Sequence, residues 1–380
     1  MQTDSLCFRA LSAIATVALL ASTGCGGYSV GRSDPVALNT YAYVGLENGP
    51  DQTFSIAQFQ VSSEGIFTAL NPASVPVDLY SNSLSADPSG RYLFSGGSEN
   101  SLAPGEILQF VIGSDGTLAG NATPSVGTGE LPGAVAFTPN GRFAVAVNNG
   151  DNTVSSYAMN SAGSLSLINT VPTGLNPTLA IIDGTGQFAY VAALGQGNSQ
   201  LATISEYTIA SSGVLTLIVT FDEELIPSAM TRSPSGFLYL TEASPNEDGG
   251  IPGAIVEFSV NEVNGGLSIV NTYSTVDLAP GPVVFTPSGN YSYVTNGYSG
   301  TISQFAVDAT TGALTQNGAD VTGGFSPTHY IVDPSGKFLY LIQNPISKYA
   351  INEDGSLASS ETAGSLGAGN GVFATAIAQH

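Results

Sequence analysis

The sequence has little positive charge and almost no cysteine. Lysine and arginine together number 7 against 29 aspartates and glutamates, which gives a formal net charge of −22 at pH 7. Proteins hold nucleic acid through clustered Lys and Arg, so this composition excludes a nucleic-acid partner bound by the usual electrostatic route. The two cysteines are Cys7 and Cys25, so the chain beyond residue 25 has no disulfide framework. Its stability must come from a large apolar core.

The residues that usually carry chemistry are also scarce. Histidine occurs twice, as His329 and His380, and tryptophan is absent. There is no Gly-x-Ser-x-Gly turn, no phosphate-binding loop and no clustered set of metal ligands, so we expect no cofactor and no metal.

Acidic residues cluster at Asp222-Glu223-Glu224, and again at Glu242 with Asn246-Glu247-Asp248. These segments do not match the spaced ligands of a calcium loop. We interpret them as solvated loop charge, with adventitious Ca²⁺ binding as the alternative.

What the sequence does have is a short pattern, aliphatic-x-x-aromatic, that recurs seven times at intervals of 44 to 51 residues. The copies are at residues 56–59, 107–110, 154–157, 204–207, 255–258, 302–305 and 346–349. A glycine turn and an apolar residue follow, as in Gly116-Thr117-Leu118 and Gly163-Ser164-Leu165. A repeat of this length with several strands in each unit is typical of a β-propeller blade. Seven copies therefore predict an all-β, seven-bladed propeller with four-stranded blades.

A second signature is a tight turn that occurs six times. The copies begin at Pro88, Pro139, Gly184, Pro234, Pro287 and Pro334, and each ends in glycine two residues later. Each copy predicts a hairpin between an inner strand and the next strand. The first blade lacks this turn, and an apolar run at residues 372–378 is left over at the other end. We expect that run to pair into the first blade and close the ring.

The N-terminal segment is predicted to be an export signal. Arg9 precedes an apolar run at residues 10–21 that is too short to span a bilayer, and Ser22-Thr23-Gly24 lead into Cys25. Small residues before a cysteine resemble the lipobox of bacterial lipoproteins, which implies lipidation of Cys25. The predicted organisation is a signal peptide at 1–24, a tether at 25–36 and the propeller at 37–380. The alternatives are a plain secretory signal with an incidental cysteine, or a retained anchor.

The repeats resemble a known family. Tyr293-Val294-Thr295-Asn296 follows a Pro-Ser-Gly turn and precedes Gly300-Thr301-Ile302, which is similar to the YVTN repeat of the lactonase-family seven-bladed propellers. The resemblance covers residues 37–380. It implies an activity like that of the propeller-type 6-phosphogluconolactonases, in which a few His, Arg and Glu residues near the central channel act on a lactone.

Three residues are candidates for such a site. In the inner strands, the residue five positions before each tight turn is Ser83, Ala134, Leu179, Ala229, Pro282 or His329. His329 is the only ionisable member, which makes it the candidate general base. A second column, four residues before the first, is apolar except for Glu130. A shift of the alignment by one residue, which puts Leu131 in that column, explains the exception equally well. Arg232 stands where other blades have Ala, Phe, Ile or Val, and Glu242 is its expected ion-pair partner.

From the sequence we predict an exported, lipid-anchored propeller in the periplasm, at the outer membrane or on the cell surface. Its expected role is the binding of a protein or glycan at the cell envelope, as a monomer that meets the membrane only through its lipid. The alternative is a lactone hydrolase in which His329 activates water and Glu130 or Arg232 assists at the carbonyl. The two hypotheses differ in whether polar groups converge in one pocket.

Overall fold

The computed structural model describes residues 39–48, 53–81, 83–99, 103–196, 201–223, 226–243, 252–275, 279–324, 329–367 and 370–379. Of the first 38 residues it describes only the backbone of two two-residue strands, Ala13–Ile14 and Val17–Ala18. The predicted signal peptide, the tether and Cys25 otherwise lie outside the described residues. No helix long and apolar enough to cross a membrane is present in the described part of the chain.

Seven antiparallel sheets form a ring of seven blades, as the repeat predicted. Each blade runs from an inner strand through a second and a third strand to an outer strand. In that order, the strands of blade 1 are Asn370–Gln379, Thr40–Asn48, Thr53–Val61 and Phe67–Val77. Those of blade 2 are Tyr80–Ser81 with Ser85–Ala86, Tyr92–Ser98, Pro104–Ile112 and Leu118–Glu130. Those of blade 3 are Pro132–Phe137, Phe143–Asn148, Thr153–Met159 and Leu165–Pro172. Those of blades 4 and 5 are Pro177–Ile182, Phe188–Ala193, Ala202–Ile209 and Leu215–Glu223; and Ile226–Arg232, Leu238–Ala243, Ala254–Val260 and Leu267–Ser274. Those of blades 6 and 7 are Val284–Phe285, Tyr291–Asn296, Thr301–Val307 and Leu314–Gln316 with Val321–Thr322; and Tyr330–Val332, Phe338–Leu341, Ile346–Ala350 and Glu361–Gly364.

The C-terminal strand closes the ring, which confirms the prediction for residues 372–378. Asn370–Gln379 pairs antiparallel with Thr40–Asn48 over their whole length. The strand thus supplies the inner position that the first blade lacks in the N-terminal part of the sequence. Closure gives the inner edge of Thr40–Asn48 a strand partner, so this edge is not left unpaired at the seam between blades 7 and 1.

The core lies between the blades. Valines and isoleucines of one blade pack on those of the next, as Val145 and Val147 of blade 3 do on Ile182 and Val191 of blade 4. All four side chains are at most 2 % exposed. Because both faces of every blade are covered in this way, the inner and second strands are apolar along nearly their whole length.

Two kinds of hydrogen bond recur between neighbouring blades and explain why the same residues return in successive repeats. In the first kind, the acceptor is a polar side chain at the third position of the aliphatic-x-x-aromatic pattern. The donor is the backbone N–H of the apolar residue that follows the glycine turn of the next blade. Gln109 Oε1 accepts from Leu165 N at 2.6 Å, and Gln304 Oε1 accepts from Leu357 N at 2.6 Å. The second joins a second-strand tyrosine to the turn glycine itself, as in Tyr293 to Gly355 O at 2.8 Å. Each repeat therefore carries both halves of the contact with its neighbours.

Candidate active site in the central cavity

The inner strands surround a cavity of about 670 Å³ at the centre of the ring. All six residues of the column five positions before the tight turns line it: Ser83, Ala134, Leu179, Ala229, Pro282 and His329. In blade 7, His329 stands two residues before Ile331, which pairs with Tyr340. In blade 1, Ala376 pairs with the corresponding tyrosine, Tyr43, so the equivalent of His329 is Ala374. Ala374 also lines the cavity.

The described residues that line this cavity include no lysine, arginine, aspartate or glutamate. Its polar groups are His329, the Asn149 amide and the hydroxyls of serines, threonines and tyrosines. Several of these groups tie the blades together. Ser228 Oγ donates to Pro280 O at 3.0 Å, and Ser85 Oγ donates to Val135 O at 2.7 Å. The cavity therefore suits an uncharged ligand with hydrogen-bonding groups better than an anion.

His329 is a titratable side chain on the wall of the cavity. It immediately precedes the inner strand of blade 7, where its carbonyl accepts from Ile342 N at 2.8 Å. Burial lowers the pKa of His329 below the ordinary histidine value, and a hydrogen bond with the backbone of Phe373 partly offsets the shift. The imidazole is therefore neutral at pH 7, which is the state that a general base needs.

Phe373 is a cavity residue that the sequence did not predict. It belongs to the closing strand and lines the cavity next to His329. Its ring lies over Gly45, where a Cβ would collide with the ring atoms. Gly45 thus leaves room for an aromatic wall. Phe373 stands at a register irregularity between Gly45 and Leu46, so it falls outside the column that identified the other lining residues.

Glu130 lies outside this set of lining residues. It ends the outer strand of blade 2, where its N–H donates to Asp151 Oδ2 at 2.7 Å and its carbonyl accepts from Gly150 N at 3.0 Å. The next residue, Leu131, has φ of 47° and does line the cavity. The structure therefore agrees with the one-residue slip that the sequence left open.

Arg232 lies on a different, smaller pocket of about 270 Å³ between blades 4 and 5. Burial lowers the pKa of its guanidinium, and the nearby carboxylates of Asp183 and Glu262 partly restore it. The expected pairing of Arg232 with Glu242 is wrong. Arg232 faces Leu238, whereas Glu242 faces Pro227 near the opposite end of the same two strands. Of the three candidates, only His329 is brought to the central cavity.

The family follows from a direct comparison. Residues 119–221 and 208–325 match the family model described as lactonase, 7-bladed beta-propeller. The chain belongs to this lactonase family. No curated protein sequence matches the chain.

Several solved structures have a similar fold. A proposed 6-phosphogluconolactonase from Bacteroides fragilis has a TM-score of 0.68 at 18 % identity, with 91 % of this chain and 99 % of that chain covered. A proposed 6-phosphogluconolactonase from Bacteroides uniformis has a TM-score of 0.68 at 19 % identity, with 90 % and 99 % covered. The periplasmic gluconolactonase PpgL of Pseudomonas aeruginosa has a TM-score of 0.54 at 20 % identity, with 77 % and 98 % covered. At these identities the likeness concerns the fold alone.

Proposed function

We propose that this lactonase-family propeller hydrolyses an uncharged lactone in its central cavity, with His329 as the general base. The observation that supports the proposal is a histidine of lowered pKa on the wall of a 670 Å³ cavity, where the described lining residues include no Asp, Glu, Lys or Arg. A volume of this order is typical of small-molecule sites.

The reaction needs one base and a path for one proton. His329 takes a proton from water, and the water oxygen forms a bond to the lactone carbonyl carbon. The ring C–O bond then breaks, and the imidazolium returns the proton to the departing alkoxide oxygen. The product is the open hydroxy acid, and His329 is neutral again. The new carboxylic acid then loses its proton to solvent, and no charged side chain among the described lining residues holds the resulting carboxylate, so its release is favoured.

The lining also indicates which lactone fits. A phosphorylated sugar lactone brings a charge of about −1.5 to −2 at neutral pH, and proteins hold such groups with Arg or Lys. In the described part of the chain, neither Arg nor Lys lines the cavity. The cavity therefore suits an unphosphorylated lactone, the substrate class of the Pseudomonas aeruginosa gluconolactonase, better than that of the two proposed 6-phosphogluconolactonases from Bacteroides.

The test is hydrolysis of glucono-δ-lactone and of its 6-phosphate by the purified protein between pH 5 and 8. We expect turnover of the first substrate, and a kcat lowered about 100-fold or more in His329→Ala. Because the pKa of His329 lies below the ordinary histidine value of about 6.5, the wild-type rate should hold at pH 6.5 and fall only as pH drops through that lowered pKa. Glu130→Gln is the matched control and should retain full activity, since Glu130 lies off the cavity.

Turnover that His329→Ala leaves unchanged would show that the base is assigned wrongly. Absence of turnover on any lactone, in a protein that melts cooperatively, would favour the other candidate function, a binding module at the cell envelope. One observation supports that candidate: the outer strands of blades 3 to 5 expose apolar side chains, with Leu167 52 %, Leu217 46 % and Ile269 64 % exposed. Broad apolar surfaces of this kind mark protein contacts.

Export and lipidation at Cys25 are part of the same proposal. They rest on the N-terminal sequence, in which small residues precede Cys25. In a bacterial host, the wild-type protein should enter the detergent phase on membrane extraction, and Cys25→Ser should leave that phase or retain its signal. Identical partitioning of the two proteins as soluble species would contradict lipidation.

A further inference from the structure

Several inner strands share a β-bulge at one level of the ring. In blade 4, Thr178 has no partner in the second strand, although the residues on either side of it are paired. Ser228 of blade 5 and Phe373 of blade 1 are skipped in the same way. In blade 3 the irregularity includes Gly133. Each of these four residues comes directly before its own blade's member of the column that contains His329, so the four stand at the same depth in the ring.

The bulge places these four residues on the wall of the central cavity. Gly133, Thr178, Ser228 and Phe373 all line it. A β-bulge leaves one residue outside the ladder and redirects its side chain. The side chain at this level can therefore differ between blades while the strand pairing on either side stays the same. We call the four residues the bulge belt. It supplies one aromatic ring, two hydroxyls and one residue without a side chain.

Phe373 forms the aromatic side of the bulge belt. Its ring lies over Gly45, and Phe54 packs against it edge-to-face with 6.1 Å between the ring centroids. These contacts hold the ring in position and leave it partly exposed on the cavity wall. The face of an aromatic ring carries partial negative charge, so it attracts the weakly positive C–H groups on the flat side of a sugar ring.

The side of the bulge belt across from Phe373 is polar, because blades 4 and 5 lie opposite blade 1 in a ring of seven. The Ser228 hydroxyl of blade 5 donates to Pro280 O at 3.0 Å. The Thr178 hydroxyl of blade 4 makes no hydrogen bond with the described residues, and its side chain is partly exposed on the cavity wall. Asn149 Nδ2 donates to Pro177 O at 3.2 Å, which places a second polar group beside Thr178. The two sides together suit a ring that is apolar on one face and carries hydroxyls at its rim.

We propose that the bulge belt selects an uncharged sugar lactone, whose C–H face stacks on Phe373 and whose ring hydroxyl hydrogen-bonds to Thr178. The inference rests on the proposed function for the site and the lactone group, and it adds the class of lactone and the residues that recognise it. A lactone without ring hydroxyls leaves the Thr178 hydroxyl without a partner, and an unpaired polar group lowers affinity. Phe373 and Thr178 are thus specificity residues, and they take no part in the proton transfer.

The test is titration calorimetry with two stable lactams, which bind without being hydrolysed. Glucono-δ-lactam carries the sugar hydroxyls, and δ-valerolactam has the same ring without them. The wild type should bind the first about 10-fold or more tightly than the second. Thr178→Val should weaken binding of glucono-δ-lactam about 5-fold and leave δ-valerolactam unchanged, and Thr178→Ser should restore the wild-type value.

Removal of the aromatic ring gives an independent measurement. Phe373→Leu keeps an apolar side chain without the aromatic face, so it should weaken binding of glucono-δ-lactam about 3- to 10-fold. Thr216→Val, which changes an exposed threonine on the outer strand of blade 4, is the matched control and should bind both lactams like the wild type. If Phe373→Leu does not melt cooperatively, Gly45→Ala replaces it, because the added Cβ displaces the ring from its position and should weaken binding in the same way.

Equal affinity of the wild type for the two lactams would overturn the inference, and so would unchanged glucono-δ-lactam binding in Thr178→Val and in the ring variant. The proposed lactonase function fails separately. Lactam binding as expected, without turnover of glucono-δ-lactone, would contradict His329 as a general base and support the bulge belt as a sugar site. Turnover with equal kcat/KM for glucono-δ-lactone and δ-valerolactone would support hydrolysis and overturn the selection of a sugar lactone.

Discussion

The guanidinium of Arg232 occupies the space where the Cβ of any other residue at position 184 would lie. Gly184 begins the tight turn of blade 4, and the other five turns begin with proline. The φ of Gly184 is not in the left-handed region, so its backbone does not require glycine. The reason for glycine is the close approach of Nη2 from blade 5. The irregular turn and the irregular arginine, which are separate anomalies in the sequence, are thus one structural feature.

This relationship predicts a coupled pair of substitutions. Gly184→Ala alone should destabilise the protein by about 1 kcal/mol, because the methyl group displaces a buried guanidinium. Combined with Arg232→Val, the residue type that blade 7 has at Val332, Gly184→Ala should be neutral. Denaturant unfolding of the two single variants and the double variant gives the coupling energy. Additive effects would contradict the contact.

The tyrosine bonds between blades predict opposite results at two equivalent positions. Tyr293 donates to Gly355 O at 2.8 Å in a buried site, so Tyr293→Phe leaves that carbonyl without its donor and should cost about 1 to 2 kcal/mol. Tyr340 holds the same place in blade 7, but its buried hydroxyl has no partner among the described residues. Tyr340→Phe should therefore be neutral or stabilising. Equal losses in the free energy of unfolding would count against this assignment.

Glu206 predicts a pH-dependent stability. It is buried between blades 4 and 5, where its Oε1 accepts from Leu267 N at 2.9 Å, and burial raises its pKa. A carboxyl whose pKa is raised by folding favours the folded state at low pH, and this contribution is lost as pH rises from the unfolded pKa through the folded pKa. Glutamine fills the equivalent place in blades 1, 2 and 6 as Gln58, Gln109 and Gln304.

Glu206→Gln should therefore match the wild type near pH 4, and its advantage in melting temperature should grow as pH rises from the unfolded pKa through the raised folded pKa. Glu106→Gln, which changes an exposed carboxylate of blade 2, should show no such trend. A Glu206→Gln advantage that is constant or that shrinks with rising pH would contradict the sign of the shift.

Ring closure predicts the effect of a truncation. Removal of residues 371–380 deletes the strand that pairs with Thr40–Asn48 and takes Phe373 and Ala374 from the cavity wall. The inner edge of Thr40–Asn48 is then exposed, so we expect aggregation or loss of the cooperative thermal transition. Size-exclusion chromatography and thermal melts would show this. Removal of His380 alone, beyond the end of the strand, should leave the melt unchanged, and a truncated protein that melts like the full chain would disprove closure.

The sequence by itself determined the number of blades, the order of strands within them and the ring closure. It could do so because each blade repeats one local pattern, and the six tight turns place residues at equal distance from them at equal depth in the ring. That is why a column of aligned residues identified six residues of the cavity wall, including His329. The same periodicity misplaced Glu130, because Leu131 takes a positive φ that shifts the register by one residue.

Only the tertiary structure decided what meets between blades. Arg232 reaches Gly184 instead of Glu242, and Glu242 reaches Glu223, because side chains at a blade interface point to the neighbouring blade and not along their own strand. Phe373 enters the cavity through a register irregularity in the closing strand. These contacts depend on the distance and angle between packed sheets, which no repeat within a single blade encodes.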